Sequence, residues 1–86
     1  MKSSVKKSFK KCLAQLPENV KQTAFKNFRL WQENPKHPSL HYKKVGSFVS
    51  VRIGIHYRAL GKESENKVVW FWIGSHDEYD RIINQL

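Results

Sequence analysis

Two prolines within five residues, in Asn34-Pro35-Lys36-His37-Pro38, divide the chain into halves that follow different periodicities. A proline lacks the backbone N–H and pushes the residue before it towards an extended conformation, so no helix runs through this segment. Before it, apolar residues recur every three or four positions. From Ser4 onward, Val5, Phe9, Cys12, Leu13 and Leu16 form one stripe with Lys6, Lys7, Lys10 and Lys11 between them, the pattern of an amphipathic helix. Pro17 breaks that stripe and suits the first turn of a second helix, whose apolar residues are Val20, Ala24, Phe28 and Trp31. The two are expected to form a helical hairpin joined at Leu16-Pro17.

Beyond the prolines the period changes to two. Leu40 to Val45 reads as a short strand and Gly46-Ser47 as a tight turn. Val49, Val51, Ile53 and Ile55 then alternate with Phe48, Ser50, Arg52 and Gly54, which gives a half-buried strand with Arg52 on its polar face. Tyr57 to Gly61 is expected to be a third strand, with His56 at a bend or bulge before it. After the polar loop Glu63-Ser64-Glu65-Asn66, the run Val68 to Ile73 is apolar on both faces and reads as a central strand. Ser75 and Glu78 have the spacing of a capping box, and Tyr79, Ile82, Ile83 and Leu86 continue as a short C-terminal helix. The predicted order is ααββββα. It describes a single α+β domain over residues 1–86, with the N-terminal helical hairpin packed on a four-stranded antiparallel sheet.

Charge narrows the partners. Sixteen Lys and Arg against seven Asp and Glu give a net charge of +9 and a pI near 9.9. Residues 1–46 hold eleven of the basic and two of the acidic side chains, so the positive field belongs to the first half. Nucleic acid is the first partner such a field implies, because neutralising phosphates releases condensed counterions; a basic surface kept for solubility is the plainer reading. A lone cysteine, Cys12, excludes an internal disulfide and fits a reducing compartment. The lysine-rich start has no apolar signal region, and no apolar run is long enough for a membrane span, so a cytoplasmic protein without membrane contact is expected. No Cys/His grouping has zinc spacing and no Gly-rich loop precedes a helix, so neither a metal nor a small-molecule cofactor is expected.

Phe9 to Leu16-Pro17 with the helix that follows, then Val51-Arg52-Ile53-Gly54 and Tyr57-Arg58-Ala59-Leu60, resembles toxins of the RelE/ParE superfamily over nearly the whole chain. The tail Trp72-Ile73-Gly74-Ser75-His76-Asp77-Glu78-Tyr79 is most similar to the YafQ-like mRNA interferase branch, where a Gly-x-His segment supplies a catalytic histidine ahead of an aromatic residue. The resemblance implies a toxin of a type II toxin–antitoxin pair. It would be a ribosome-dependent, metal-independent endoribonuclease that cleaves messenger RNA through attack of a 2′-hydroxyl on the adjacent phosphate, and a cognate acidic antitoxin would inactivate it. By residue match, His76 and Tyr79 fall on the family's C-terminal motif, Arg58 on its Tyr-Arg strand, and Lys43, Lys44 and Arg52 in its basic strand region. His41 and His56 lie near positions where the YafQ branch carries further histidines. The Arg52 to Arg58 interval is one residue longer than the common family spacing, which leaves open the face each side chain takes. The RelE branch carries arginine where this chain has His76. Some superfamily members inhibit DNA gyrase instead, so a ParE-type gyrase inhibitor and a non-catalytic RNA-binding module stand as alternatives.

Cleavage of that kind needs a base for the 2′-hydroxyl, an acid for the leaving 5′-oxygen and cations facing the phosphate. Histidine serves as acid or base near neutral pH. His76, between a strand end and a helix start, ranks first, and that helix N-terminus is expected to favour a bound phosphate; the other reading is a histidine that only packs or caps. His41 and His56 rank behind it, and His37 reads as a solvent-exposed loop residue. Arg52 and Arg58 suit charge-assisted phosphate contacts, or are ordinary polar-face strand residues. Tyr79 either stacks on a base or packs in the core. Lys43, Lys44, Lys6 and Lys10 are candidates for RNA-backbone contact, the helix lysines also reading as a solvated face. Trp31, Trp70 and Trp72 read as core.

Overall fold

A computed structural model describes residues 2–85. The elements run β1 (Lys2–Val5), α1 (Lys7–Ala14), α2 (Glu18–Glu33), a single 3-10 turn (Pro38–Leu40), β2 (Lys43–Val45), β3 (Phe48–Ile53), β4 (Tyr57–Ser64), β5 (Lys67–Ser75) and α3 (His76–Asn84). One sheet holds every strand, in the order β1-β5-β4-β3-β2. The α+β class, the paired N-terminal helices and the C-terminal helix are as the sequence predicts. Leu86, the last residue of the predicted helical stripe, lies outside the described residues.

The sheet has five strands rather than four, and it is mixed rather than antiparallel. β1 lies parallel to β5, with Lys2 opposite Lys67 and Val5 opposite Trp70. The Lys6 amide extends this pairing by donating to the Trp70 carbonyl at 2.9 Å. Lys-Ser-Ser-Val has no alternation to announce a strand; what specifies it is the otherwise unpaired edge of β5. Val5 therefore belongs to the sheet, and the helix begins two residues later. Its spacing to Phe9 only imitates helical periodicity.

Three smaller differences come from left-handed backbone. Gly54 adopts φ +62° and ends β3, so Ile55 is 71% exposed instead of extending the core face. His41 adopts φ 46° and confines the predicted 40–45 strand to Lys43–Val45. Glu65 and Asn66, with φ 49° and 65°, make a two-residue hairpin turn, which lets β4 run to Ser64 within the predicted loop.

α1 and α2 cover one face of the sheet. Val49, Val51, Ile53, Ala59, Val68, Trp70 and Ile73 pack there against Ala24 and Trp31 of α2 and against Leu40. Phe9, Cys12, Leu13 and Leu16 seal the same core from α1. Trp31, 1% exposed, meets Trp70 edge-on at 5.3 Å and 80°. Burial of each such large side chain contributes about 1.5–3 kcal/mol.

The opposite face carries Phe48, Ser50 and Arg52 from β3 and Arg58, Leu60 and Lys62 from β4, which are direct cross-strand partners. In β5 the register shifts between Leu60 and Gly61, which pair with Trp72 and Trp70 and leave Phe71 as an extra residue. The bulge turns the consecutive residues Phe71 and Trp72 to one face, so Trp72 is half-buried there instead of joining Trp31 and Trp70 in the core. Trp72 lies across Gly74, where a β-carbon would sit 2.5 Å from its ring. At the far end of this face α3 contributes Tyr79, which is 4% exposed.

Candidate active site

Arg52 and Arg58 are direct cross-strand partners. Opposed residues of antiparallel strands share a face, so the six-residue interval places both side chains on the face away from the helices. Arg58 is 6% exposed, an uncommon state for a guanidinium. Its Nε donates to Ser50 Oγ at 3.0 Å and one Nη to the His41 carbonyl at 3.4 Å, and its Cζ stands 4.8 Å from the centre of the Tyr79 ring. Among the described residues Arg58 makes no ion pair with a carboxylate. A buried cation held only by neutral groups is costly, and an anionic ligand would offset that cost.

Arg52 joins the same cluster. One Nη lies 3.2 Å from His41 Nε2, and its Nε donates to the Gly54 carbonyl at 3.1 Å. A guanidinium has no acceptor, so His41 Nε2 is the acceptor in this arrangement. Asn27 of α2 holds the strand from behind by donating to the Arg52 carbonyl at 3.0 Å. His41 thus meets both arginines, one through its ring and the other through its carbonyl, and its left-handed backbone at the end of the 3-10 turn makes that double contact reachable.

His76 is the first residue of α3, and its ring centre lies 5.7 Å from that of Tyr79, tilted by 60°. Nδ1 is 3.2 Å from Oδ2 of Asp80, one helical turn on. A carboxylate accepts, so Nδ1 carries the proton and Nε2 is the free nitrogen. The histidine side chain is half-exposed. Ser75 caps the helix as its sequence indicates, its Oγ accepting from the Glu78 amide at 3.2 Å.

The structure therefore brings His41, Arg52, Arg58, Tyr79 and His76 into one cluster. His56 contributes its carbonyl, which accepts from the His76 amide at 2.8 Å, while the residue itself lies exposed in the turn between β3 and β4. Lys43 pairs with Ser50 and shares the arginine face; Lys44 pairs with Val49 on the other face and reaches Glu63 at 3.8 Å. Lys6 and Lys10 lie away from the cluster, Lys10 beside an apolar cleft of about 310 Å³ between the helices and the sheet. At the α3 N-terminus the His76 and Glu78 amides are taken by His56 and Ser75, and Asp77 and Glu78 place negative charge in the first turn. Tyr79 is buried under Arg58 and His76, so its ring supports those groups and leaves no open face. Ser50 and Asp80 escaped the sequence reading, although Ser50 alternates with Arg52 and Asp80 stands four residues after His76. Among the described residues no three His, Cys, Asp or Glu side chains converge as a metal site requires.

Solved structures share this fold. A chain of the RelB-RelE antitoxin-toxin complex from Methanococcus jannaschii superimposes with a TM-score of 0.71 at 17% identity, over 90% of this chain and 95% of that one. The YoeB/ParE toxin from Agrobacterium tumefaciens gives 0.69 at 13% identity, over 88% and 99%. The isolated E. coli RelE toxin gives 0.64 at 12% identity, over 99% and 98%. No curated protein matches the sequence. The ParE-like toxin domain matches residues 18–81, well over half of the chain and the whole arginine and histidine cluster. The chain belongs to the ParE-like toxin domain family.

Proposed function

We propose that this protein is the toxin of a type II toxin–antitoxin pair and acts in the cytoplasm as a ribosome-dependent, metal-independent endoribonuclease on messenger RNA. The observation that carries the reading is Arg58, a buried guanidinium with no carboxylate partner among the described residues, which shares the Tyr79 ring with a histidine whose Nδ1 is turned to Asp80. In this account Arg58 and Arg52 face the scissile phosphate and stabilise the charge that grows on it as the 2′-oxygen attacks. His76 Nε2 takes the 2′-hydroxyl proton or returns one to the leaving 5′-oxygen, and Asp80 holds the ring. His41 is the second histidine in reach, once its Nε2 exchanges Arg52 for substrate. Lys43 steers the strand from the sheet edge.

A cognate acidic antitoxin follows from the same chemistry. A net charge of +9 on 86 residues binds cellular RNA without selection unless a complementary partner covers it. The chain shares its fold with structures of a RelB-RelE antitoxin-toxin complex from Methanococcus jannaschii and a RelE-RelB complex from Pyrococcus horikoshii, which supports a partner of this kind. The test is induction in cells with separate readouts of protein and DNA synthesis. Early arrest of translation supports the nuclease. An early DNA-damage response with translation intact points to gyrase inhibition, and RNA binding without cleavage points to a non-catalytic module.

A further inference from the structure

The arginine face continues beyond the catalytic cluster. Along β3 it reads Arg52, Ser50, Phe48, and along β4 Arg58, Leu60, Lys62, with Phe48 opposite Lys62. Tyr79 of α3 lies at the Arg58 end of this face, and Phe48 at the other. The β5 bulge brings Phe71 onto this face, where its ring centre lies 5.3 Å from that of Phe48 at 58°. Both rings are half-buried. They line a shallow hollow of about 490 Å³ with Val69, Lys6, Lys62, Ser8 and Ser64, and no carboxylate of the described residues lines it. Ser8 is itself fixed by donating to the Phe71 carbonyl at 2.7 Å. Two apolar rings between two lysines are continuous with the cationic cluster and lie outside the core cluster on the helix-covered face.

We propose that Phe48 and Phe71, flanked by Lys6 and Lys62, form a second subsite that stacks a base of the same single-stranded RNA, away from the cleaved phosphate. This rests on the RNA-cleaving reading of the arginine cluster. Ring faces accept any base, and lysines beside them meet the backbone phosphates, so the subsite adds affinity without sequence preference. Four residue steps along each strand separate the Arg52–Arg58 pair from the Phe48–Lys62 pair, roughly 13 Å at the rise of a strand. That distance spans about four nucleotides at the roughly 3.4 Å rise of a stacked strand, and fewer where the strand is extended. RNA shorter than the span engages the cluster alone, whereas longer RNA reaches both.

The experiment is fluorescence anisotropy with the full chain carrying His76→Gln, to slow cleavage, and with single-stranded RNAs of about two and eight nucleotides, lengths chosen from that span. Phe71→Leu is expected to weaken the longer RNA roughly 5- to 150-fold and to leave the shorter one unchanged. Phe71→Tyr, which keeps the ring, is expected to bind as the parent does. Lys62→Gln should flatten the slope of log K against log salt by about 0.7 for the longer RNA only. If the longer RNA binds, is weakened by Arg58→Met, and is indifferent to Phe71→Leu and Phe48→Leu in proteins with parental circular dichroism, the subsite is overturned while the cluster's role survives. Failure of both RNAs to bind would overturn the subsite alone, because cleavage at the cluster is read on ribosome-bound messenger RNA. Self-association abolished by Phe71→Leu without change in RNA affinity would overturn it too, and would assign the patch to a second copy of this chain.

Discussion

Arg58 and His76 rest on the same ring: the Arg58 Cζ lies 4.8 Å from the Tyr79 centroid and the His76 ring centre 5.7 Å from it. Tyr79 thereby fixes a strand residue and a helix residue relative to one another, which neither backbone element does alone. Tyr79→Phe keeps the ring and is expected to stay close to wild-type stability. Tyr79→Ala empties a buried aromatic site and should cost about 3–5 kcal/mol in denaturant titration.

Arg58 is expected to trade stability for function. Arg58→Met replaces a buried cation that meets no carboxylate among the described residues with an apolar chain of similar length, so equilibrium unfolding should show equal or greater stability. Cleavage should fall about 10²-fold or more, because the phosphate loses its main buried cation. Ser50→Ala does the reverse, leaving Arg58 Nε buried without its acceptor at a cost of about 1–3 kcal/mol. In the Arg58→Met background that cost should largely vanish, and a double-mutant cycle measures the difference.

Asp80 should set the tautomer of His76. With its carboxylate 3.2 Å from Nδ1, the neutral imidazole carries its proton on Nδ1. Nitrogen chemical shifts of the labelled histidine read this directly. Asp80→Ala is expected to lower the Nδ1–H fraction and to slow cleavage by less than removal of His76 does. An unchanged tautomer ratio would reduce the pair to a helix-surface contact.

Tyr42 provides a pH dependence of known sign. Its hydroxyl donates to Glu63 Oε2 at 2.9 Å, and burial first, then the bond to this carboxylate and its charge, push the phenol above its ordinary range. The unfolded chain loses that proton near pH 10, while the folded chain keeps it. The stability this contributes is therefore fully present below about pH 10 and is lost as pH rises beyond it. Unfolding free energies for Tyr42→Phe should fall less steeply than wild type in that alkaline range. Equal slopes would mean that Tyr42 ionises as freely in the folded protein.

The helices and inner strands were legible because each buries one face against the core and so imposes a period on the sequence. β1 was not, since an edge strand answers to its neighbour's open hydrogen bonds and Lys2-Ser3-Ser4-Val5 carries no period of its own. The β5 bulge was hidden in an all-apolar run, where Phe71 and Trp72 look alike whichever way they face. At the site, residue type pointed to Arg58, Arg52, His41 and His76. Their convergence depends on the left-handed turn at His41 and on the cross-strand register of the arginines, which follow from tertiary pairing. The separation of Lys43 from Lys44 is likewise a matter of strand alternation, once the strand has shrunk to three residues.

The pH–rate profile of cleavage of ribosome-bound messenger RNA, for wild type, His76→Gln and Arg58→Met side by side, tests the central claim most directly. The account predicts that His76→Gln folds normally, cleaves roughly 10²- to 10⁴-fold more slowly, and loses one ionisation from the curve. Arg58→Met should lower the whole curve without changing its shape, because the guanidinium holds its charge throughout. A His76→Gln protein that cleaves at the wild-type rate with the wild-type profile would contradict the account.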